Sequence, residues 1–455
     1  MLDDTIAAIA TALGEAGLAV VRLSGPQALT VADRSFAPKG RHSARPSEAA
    51  THTIQYGHVV RGGVTVDEVL VSVMRAPRTF TREDVAEITC HGGLLTAKLV
   101  LGTVLENGAR LAQPGEFTRR AFLNGRLDLT QAEAVADLIQ SRTELALRAA
   151  NEQLAGKLSQ RINQLRDDLI QTLAHIEAHL DFPEEDIAPD TQAQLLARLD
   201  QGVAFMDALL RTANEGQILR HGLRTAIVGR PNVGKSSLLN QLLGRDRAIV
   251  SPRPGTTRDT IEETANIRGL PVVFVDTAGL REAHDEVELE GIRRSHEAVS
   301  RAELLLHVLD VSEPLTPEDE RFLAEFAGKK RILVGNKSDL PRRLEGTSIQ
   351  GPLVEVSCRS GQGIETLKDA IKELAWAGEI RSEMLEVMIN SRHQDALSRA
   401  RAAVLNAGEA LRRGMSLEFV AVDLRCGVDA VGEVVGKTAT EDLLDLIFSQ
   451  FCIGK

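Results

Sequence analysis

The sequence predicts a multidomain chain of α/β plus α class: a small N-terminal α+β domain, then a helical domain into which a doubly wound α/β domain is inserted. Three observations lead there. Residues 1–118 mix short β-type runs with Gly and Pro punctuation. From residue 119 the composition shifts to Ala, Leu, Gln, Arg and Glu at helical spacing, and the same character returns after residue 377. Between them, residues 221–376 alternate strand-like runs with amphipathic helices. The expected domains are therefore 1–118, 119–220, 221–376 and 377–455, with the second and fourth forming one discontinuous helical domain. At 455 residues the chain exceeds what one ordinary core organises.

In the first domain, Leu18–Leu23, Val69–Met74 and Val85–Thr89 read as strands and Leu94–Leu105 as an apolar helix. QAEAVADLIQSRTELALRAANEQLAGKL, residues 131–158, reads as part of a stretch of long helices. DFPEEDIAPD carries two prolines and five acidic residues, and is expected to be a solvated turn rather than a metal site. The inserted domain offers the strands TAIVG, VVFVD, LLLHVLDV, RILVGNKSD and LVEVSC.

Composition excludes several classes. With 43% hydrophobic and 26% charged residues, and 37 Gly against 15 Pro, the chain is not disordered, collagenous or disulfide-stapled. Cys90, Cys358, Cys426 and Cys452 lie far apart with no CxxC pair, which fits a reducing compartment. No apolar run approaches the roughly 20 residues of a membrane span, so no membrane contact and a cytoplasmic location are expected. A net charge of −11 argues against nonspecific nucleic-acid binding, so any RNA contact must be local. Few aromatic platforms exist, with one Trp and one Tyr.

The chemistry concentrates in the inserted domain. Gly229-Arg-Pro-Asn232-Val233-Gly234-Lys235-Ser236-Ser237 matches GxxxxGK[ST] between a strand and a helix. Glycines at 229 and 234 let backbone N–H groups face phosphates, Lys235 reaches the outer phosphates, and the Ser236 hydroxyl suits Mg²⁺. Asp276-Thr277-Ala278-Gly279 ends a second buried strand, near the metal and the γ-phosphate. Asn336-Lys337-Ser338-Asp339 selects the base, because the Asp339 carboxylate can accept both guanine N1–H and N2–H₂, a pattern adenine lacks. GTP is therefore the expected substrate. Ser357-Cys358, ahead of Gly361 and Gly363, is expected to close the base pocket. Thr257, in PGTTRD, is expected to be the second Mg²⁺ hydroxyl ligand on a switch loop. Leu280 follows Gly279 where Ras-type GTPases carry the water-orienting Gln. Charge stabilisation must then come from a cation, a partner subunit, or an acid in REAHDEVELEG.

Three further segments converge on one family: PGEFTRRAFLNGRLDLTQAEA at 114–134, GRPNVGKSSLLN in mid-chain, and FCIGK at 451–455. Together they resemble the MnmE (TrmE) family of tRNA-modifying GTPases over residues 1–455. The resemblance implies an N-terminal domain that dimerises and binds a tetrahydrofolate one-carbon derivative, and an inserted Ras-like P-loop GTPase domain. It also implies a heterotetramer with the FAD enzyme MnmG. The two would install an aminomethyl or carboxymethylaminomethyl group on C5 of the wobble uridine of certain tRNAs. In the family K⁺ takes the arginine-finger role, which implies ligation by Asn232 with Ser251, Arg253 and Thr256, while Glu288 orients the attacking water. Implied folate residues are Arg22, Glu87, Arg126 and Lys455. Cys452 is either a thiolate nucleophile or a small cysteine without chemistry. In CHGG, adjacent Cys90 and His91 face opposite ways on a strand, which favours a structural role. The segment Ala10–Gly17 departs from the family's Pro- and Gly-rich pattern. The rival reading is a regulatory or ribosome-assembly GTPase switch, which has no reason to carry the N-terminal motif or FCIGK.

Overall fold

The computed structural model describes residues 3–181, 192–244, 262–275, 299–345, 351, 353–376 and 382–455. The chain divides into two compact units. Unit one comprises Met1–Ala136, Leu154–Gly202 and Arg399–Lys455, and unit two comprises Asp137–Gln153 and Val203–Ser398.

Among the described residues, unit one is built on strands β1 (Ile6–Ile9), β2 (Leu18–Ser24), β3 (Phe36–Pro38), β4 (Thr53–Arg61), β5 (Val64–Met74), β6 (Val85–His91) and β7 (Arg110–Leu111). They form one sheet in the order β3-β4-β5-β6-β2-β1-β7, antiparallel except for the β1–β7 pair. Alternate residues of β2 (Ala19, Val21, Leu23) and β6 (Ala86, Ile88, Cys90) bury against the helices Ala28–Ser35 and Leu94–Glu106. This period of two puts Cys90 in the core, where burial pushes its thiol up to about 11. His91 points the other way, exposed, with Nδ1 2.8 Å from Asp67.

The helical part of unit one packs Lys157–Asp181 on Leu417–Val435. Leu158, Ile162, Leu165, Leu169, Thr172 and Ile176 are the buried stripe of the first, spaced by threes and fours. Arg425 and Glu177 close the seam at 2.8 Å.

Unit two carries β8 (Leu223–Val228), β9 (Glu263–Ile267), β10 (Leu270–Phe274), β11 (Leu304–Asp310), β12 (Arg331–Asn336) and β13 (Leu353–Glu355). Their order is β13-β12-β11-β8-β10-β9, with only the β9–β10 pair antiparallel. Leu304, Leu306 and Val308 face the helices Lys235–Leu243 and Ile364–Ala375, while Leu305 faces Phe322 and Phe326 across the sheet. With both faces covered, the near-continuous apolar runs of these strands follow.

Ala146, Ala149, Ile218, Leu219, Leu385 and Met388 join the core under β8–β12. Helical segments on either side of the α/β domain therefore share its core, and the compact units do not break at the expected residues 220 and 376.

Candidate functional site

The loop after β8 is held by its glycines. Gly229 and Gly234 adopt φ +146° and +100°, and a Cβ would press on Val308 O at the first and on Asn336 Nδ2 at the second. Asn232 also sits at positive φ, 64°. The helix then opens at Lys235, leaving its first N–H groups directed at the loop, an arrangement suited to an anion. Lys235 Nζ donates to Gly229 O at 2.8 Å and Arg230 O at 2.9 Å. Burial holds its ammonium below the usual lysine range, partly offset by Glu318. An anionic phosphate would relieve that desolvation. Ser236 lies in the first turn, half-buried, and Ser237 is exposed beside it.

Asn336 joins three motifs. Buried at the end of β12, it donates through Nδ2 to Val233 O at 2.8 Å and accepts at Oδ1 from Cys358 N at 3.1 Å. Gln241, on the helix after the phosphate loop, donates to Cys358 O at 2.8 Å and completes a ring back to that helix. Asp339 is exposed and accepts from Ser357 Oγ at 2.7 Å, a bond that holds its carboxyl below the usual range. Lys337 pairs at 2.5 Å with the buried Asp310. Burial raises the Asp310 pKa, but hydrogen bonds from Lys337 and Ser312 outweigh it and the net shift is down. Cys358 is pushed up to about 11 by burial and by Asp339, so it stays a thiol.

Ser251, Arg253, Thr256, Thr257, Asp276, Thr277, Ala278, Gly279 and Glu288 lie outside the described residues.

In unit one a second cluster gathers residues from the two ends of its sequence. Arg22 and Glu87 are register partners on β2 and β6, and Arg22 Nε donates to Glu87 Oε1 at 2.7 Å. Arg22 also reaches Gly454 O at 3.3 Å and lies 5.7 Å from the Phe117 ring centroid. The segment 451–455 is fixed beside it by the Pro114–Ile453 bridge and by Gly115 N donating to Cys452 O at 3.4 Å. Gly454, at φ +92°, has no room for a side chain, since a Cβ would stand 2.6 Å from Ile9 O. Lys455 is lowered by burial and then by Arg22, with Glu87 and Cys452 pulling the other way. Arg22 and Glu87 thus pair directly, and Lys455 lies within electrostatic reach of both and of the exposed Cys452. Arg126 bonds Thr79 O and stacks 5.3 Å from the Phe80 centroid. Phe80 packs against the small core of Ile6, Ala8, Ala112 and Phe117, which places Arg126 and Arg22 against rings of the same apolar group.

Sequence reasoning missed Gln241 and the two phenylalanines. It also missed Arg120, wholly buried and bonded to Asp4 Oδ1 at 2.7 Å, Glu116 at 3.0 Å and Glu83 at 3.2 Å. The i, i+4 spacing of Glu116 and Arg120 was the available signal.

Comparison with known proteins adds the following. A family profile described as "GTP-binding protein TrmE N-terminus" matches residues 5–126, and one described as "MnmE helical domain" matches residues 129–452. The "tRNA modification GTPase MnmE" of Geobacillus kaustophilus (strain HTA426) is 49% identical, covering 99% of this chain and 99% of the relative. Proteins of the same name from Geobacillus thermodenitrificans (strain NG80-2) and Bacillus velezensis (strain FZB42) are 48% and 47% identical, each covering 99% of this chain and 99% and 100% of the relatives.

Proposed function

The chain belongs to the MnmE family of tRNA modification GTPases, and on that premise we propose that it couples GTP hydrolysis to modification of C5 of the wobble uridine of certain tRNAs. GTP is its substrate. In this reading it works in the cytoplasm as a homodimer, in a heterotetramer with MnmG. Among the described residues no helix is long and apolar enough to cross a membrane.

The observation that carries the nucleotide half is the ring through Asn336, which fixes the phosphate loop against the loop that meets the base. Asp339, kept ionised and aimed by Ser357, accepts the two guanine N–H groups. Lys235 and the helix N-terminus take the phosphates. Ser236 in the first turn suits Mg²⁺ with Thr257, and the exposed Asn232, held at positive φ, suits K⁺ with Ser251, Arg253 and Thr256. Bound there, these cations would neutralise charge developing between the β- and γ-phosphates. Asp276–Gly279 would face the γ-phosphate and Glu288 would orient the attacking water.

The modification half rests on the Arg22–Glu87–Lys455 cluster. A carboxylate paired to Arg22, with Lys455 in electrostatic range and aromatic rings against Arg22 and Arg126, fits a tetrahydrofolate derivative, which would supply the one-carbon unit. Glu87 would accept from the pterin amidine edge, and Arg22, Arg126 and Lys455 would hold its carbonyl and glutamate oxygens. The rival assembly-switch reading gives this cluster no use.

Mass spectrometry of tRNA nucleosides from cells lacking the protein tests the proposal. Loss of a C5-modified wobble uridine, restored by wild type but not by Lys235→Ala, is expected; a Cys452→Ser strain decides whether the thiol takes part. An unchanged nucleoside profile without the protein would give the case to the assembly switch.

A further inference from the structure

Unit one carries a cationic edge that none of this chemistry uses. Between Asp33 and Glu48 the sequence holds four cations, Arg34, Lys39, Arg41 and Arg45, and no carboxylate, in a chain where Asp and Glu outnumber Lys and Arg by 64 to 53. The segment continues from the edge strand β3 and is pinned along β4. Lys39 N donates to Tyr56 O at 2.9 Å, Ala44 N to the buried Gln55 Oε1 at 2.8 Å, and Tyr56 N to Ser43 Oγ at 3.3 Å.

Arg34 is occupied by Asn107 O at 3.1 Å. Lys39, Arg41 and Arg45 are exposed, and among the described residues none has a carboxylate partner. Arg75 lies on the turn that follows Arg45, its guanidinium donating to Ser47 O at 2.6 Å and to Ala49 O at 3.1 and 3.3 Å. Carbonyls fix that guanidinium without neutralising it. Arg78, shortly after, is exposed and likewise without a carboxylate partner among the described residues. Of the neighbouring acids, Asp33 accepts from Ser47 N at 2.9 Å, Asp84 from Ala76 N at 2.9 Å and Glu68 from the Tyr56 hydroxyl at 2.6 Å, and Glu48 is exposed.

We propose that this edge, Lys39, Arg41, Arg45, Arg75 and Arg78, is where unit one takes the phosphate backbone of RNA. The inference rests on the tRNA reading above and adds where the RNA docks. Cations without internal partners lose no ion pair when they meet phosphate, and each contact releases counterions condensed on the RNA. A loop already pinned to β4 has little left to order on binding. The one tyrosine nearby, Tyr56, bonds Glu68 through its hydroxyl at 2.6 Å, so the edge offers charge and shape rather than base stacking. On an acidic protein, a local cationic edge also orients an approaching polyanion.

The test uses the full chain with Lys39, Arg41 and Arg45 all changed to Gln, exposed positions whose loss leaves the pinned backbone intact. Binding to purified tRNA is measured across salt, with Arg61→Gln, which removes a cation paired to Glu106, as a control. The triple variant is expected to bind tRNA about tenfold more weakly at low salt, and its plot of log affinity against log salt to be shallower by about 2 to 3. GTP turnover without RNA and the control's binding stay at wild-type values. Equal affinity and slope for the triple variant and wild type would overturn the docking edge while leaving the tRNA reading intact. A wild type without affinity for tRNA overturns the edge too, and the nucleosides of cells lacking the protein then show whether the functional reading falls with it. If the three changes abolished binding to anionic lipid vesicles and left tRNA binding untouched, the edge would belong to a membrane surface and the inference would be wrong.

Discussion

The nucleotide loop of unit two and the cation–carboxylate cluster of unit one are built in opposite ways. The first is a short run of backbone, residues 229–237, shaped by two glycines at positive φ and tied by the buried Asn336 to a rigid parallel sheet. The second has almost no local backbone device. It joins Arg22, Glu87 and the segment 451–455, with 432 residues separating Arg22 from Gly454, and depends on register between β2 and β6 and on one bridge at Pro114–Ile453. A site made of contiguous backbone tolerates side-chain change except at its few ligating groups, whereas a site made by long-range convergence fails when any of its arms is displaced.

The largest expected effect tests the first kind of site. Lys235→Ala should lower GTP turnover on the order of a thousandfold, with the loop itself intact because its backbone is set by glycines and Asn336. A steady-state assay that found turnover within a few fold of wild type would deny Lys235 its phosphate.

Next comes acid stability, in which the two units should part. His307 is wholly buried in β11, and burial, reinforced by Arg331, lowers its pKa to about 4 from 6.5. Because the folded value lies below the unfolded one, its contribution is fully present above pH 6.5 and is lost as pH falls toward 4, about 3 kcal/mol in all. In unit one, Asp4 and Glu116 are depressed below 3.8 and 4.5; burial opposes this, but Arg110 and Arg120 outweigh it. Their contribution is present above about pH 4.5 and lost only below it. Unfolding followed by hydrogen exchange from pH 7 to 4 should therefore show unit two weakening first, and His307→Leu should flatten that slope.

Gly454→Ala should come third. Its positive φ and the approach to Ile9 O make the tail unable to keep its place, at a cost of about 2 kcal/mol within unit one, and binding of a tetrahydrofolate derivative should weaken while GTP turnover stays normal. Equal ligand affinity in the variant would mean the tail is not part of the cluster's function.

Gln241→Met, the smallest effect, keeps the side-chain volume and removes the bond to Cys358 O. GDP should dissociate roughly five times faster, a loss of about 1 kcal/mol, with turnover at saturating GTP unchanged. Stopped-flow release at the wild-type rate would show that the ring through Asn336 does not need its third bond.

What the sequence made readable follows the same division. β2, β6, β11 and β12 announced themselves by period or by apolar runs, and the residues 229–237 and 336–339 by spacing, because each is a local pattern. β1, β7 and β9 were not foreseen, being short strands defined by the neighbours they pair with. Arg22, Glu87 and Lys455 came only from resemblance to a family, since no spacing relates residues so far apart. Arg120 looked like any surface cation, and only tertiary packing distinguishes it from Arg119, which pairs at 2.7 Å with the exposed Asp445.

The measurement that bears most directly on the two-site account is Glu87→Gln, assayed twice: GTP turnover of the purified protein, and wobble-uridine nucleosides of cells in which it is the sole copy. The account predicts wild-type turnover and loss of the C5 modification, because the substitution removes the carboxylate of the unit-one cluster and leaves the nucleotide loop as it was. Full modification with Glu87→Gln would contradict it, and would leave the chain a GTPase whose second cluster serves only the fold.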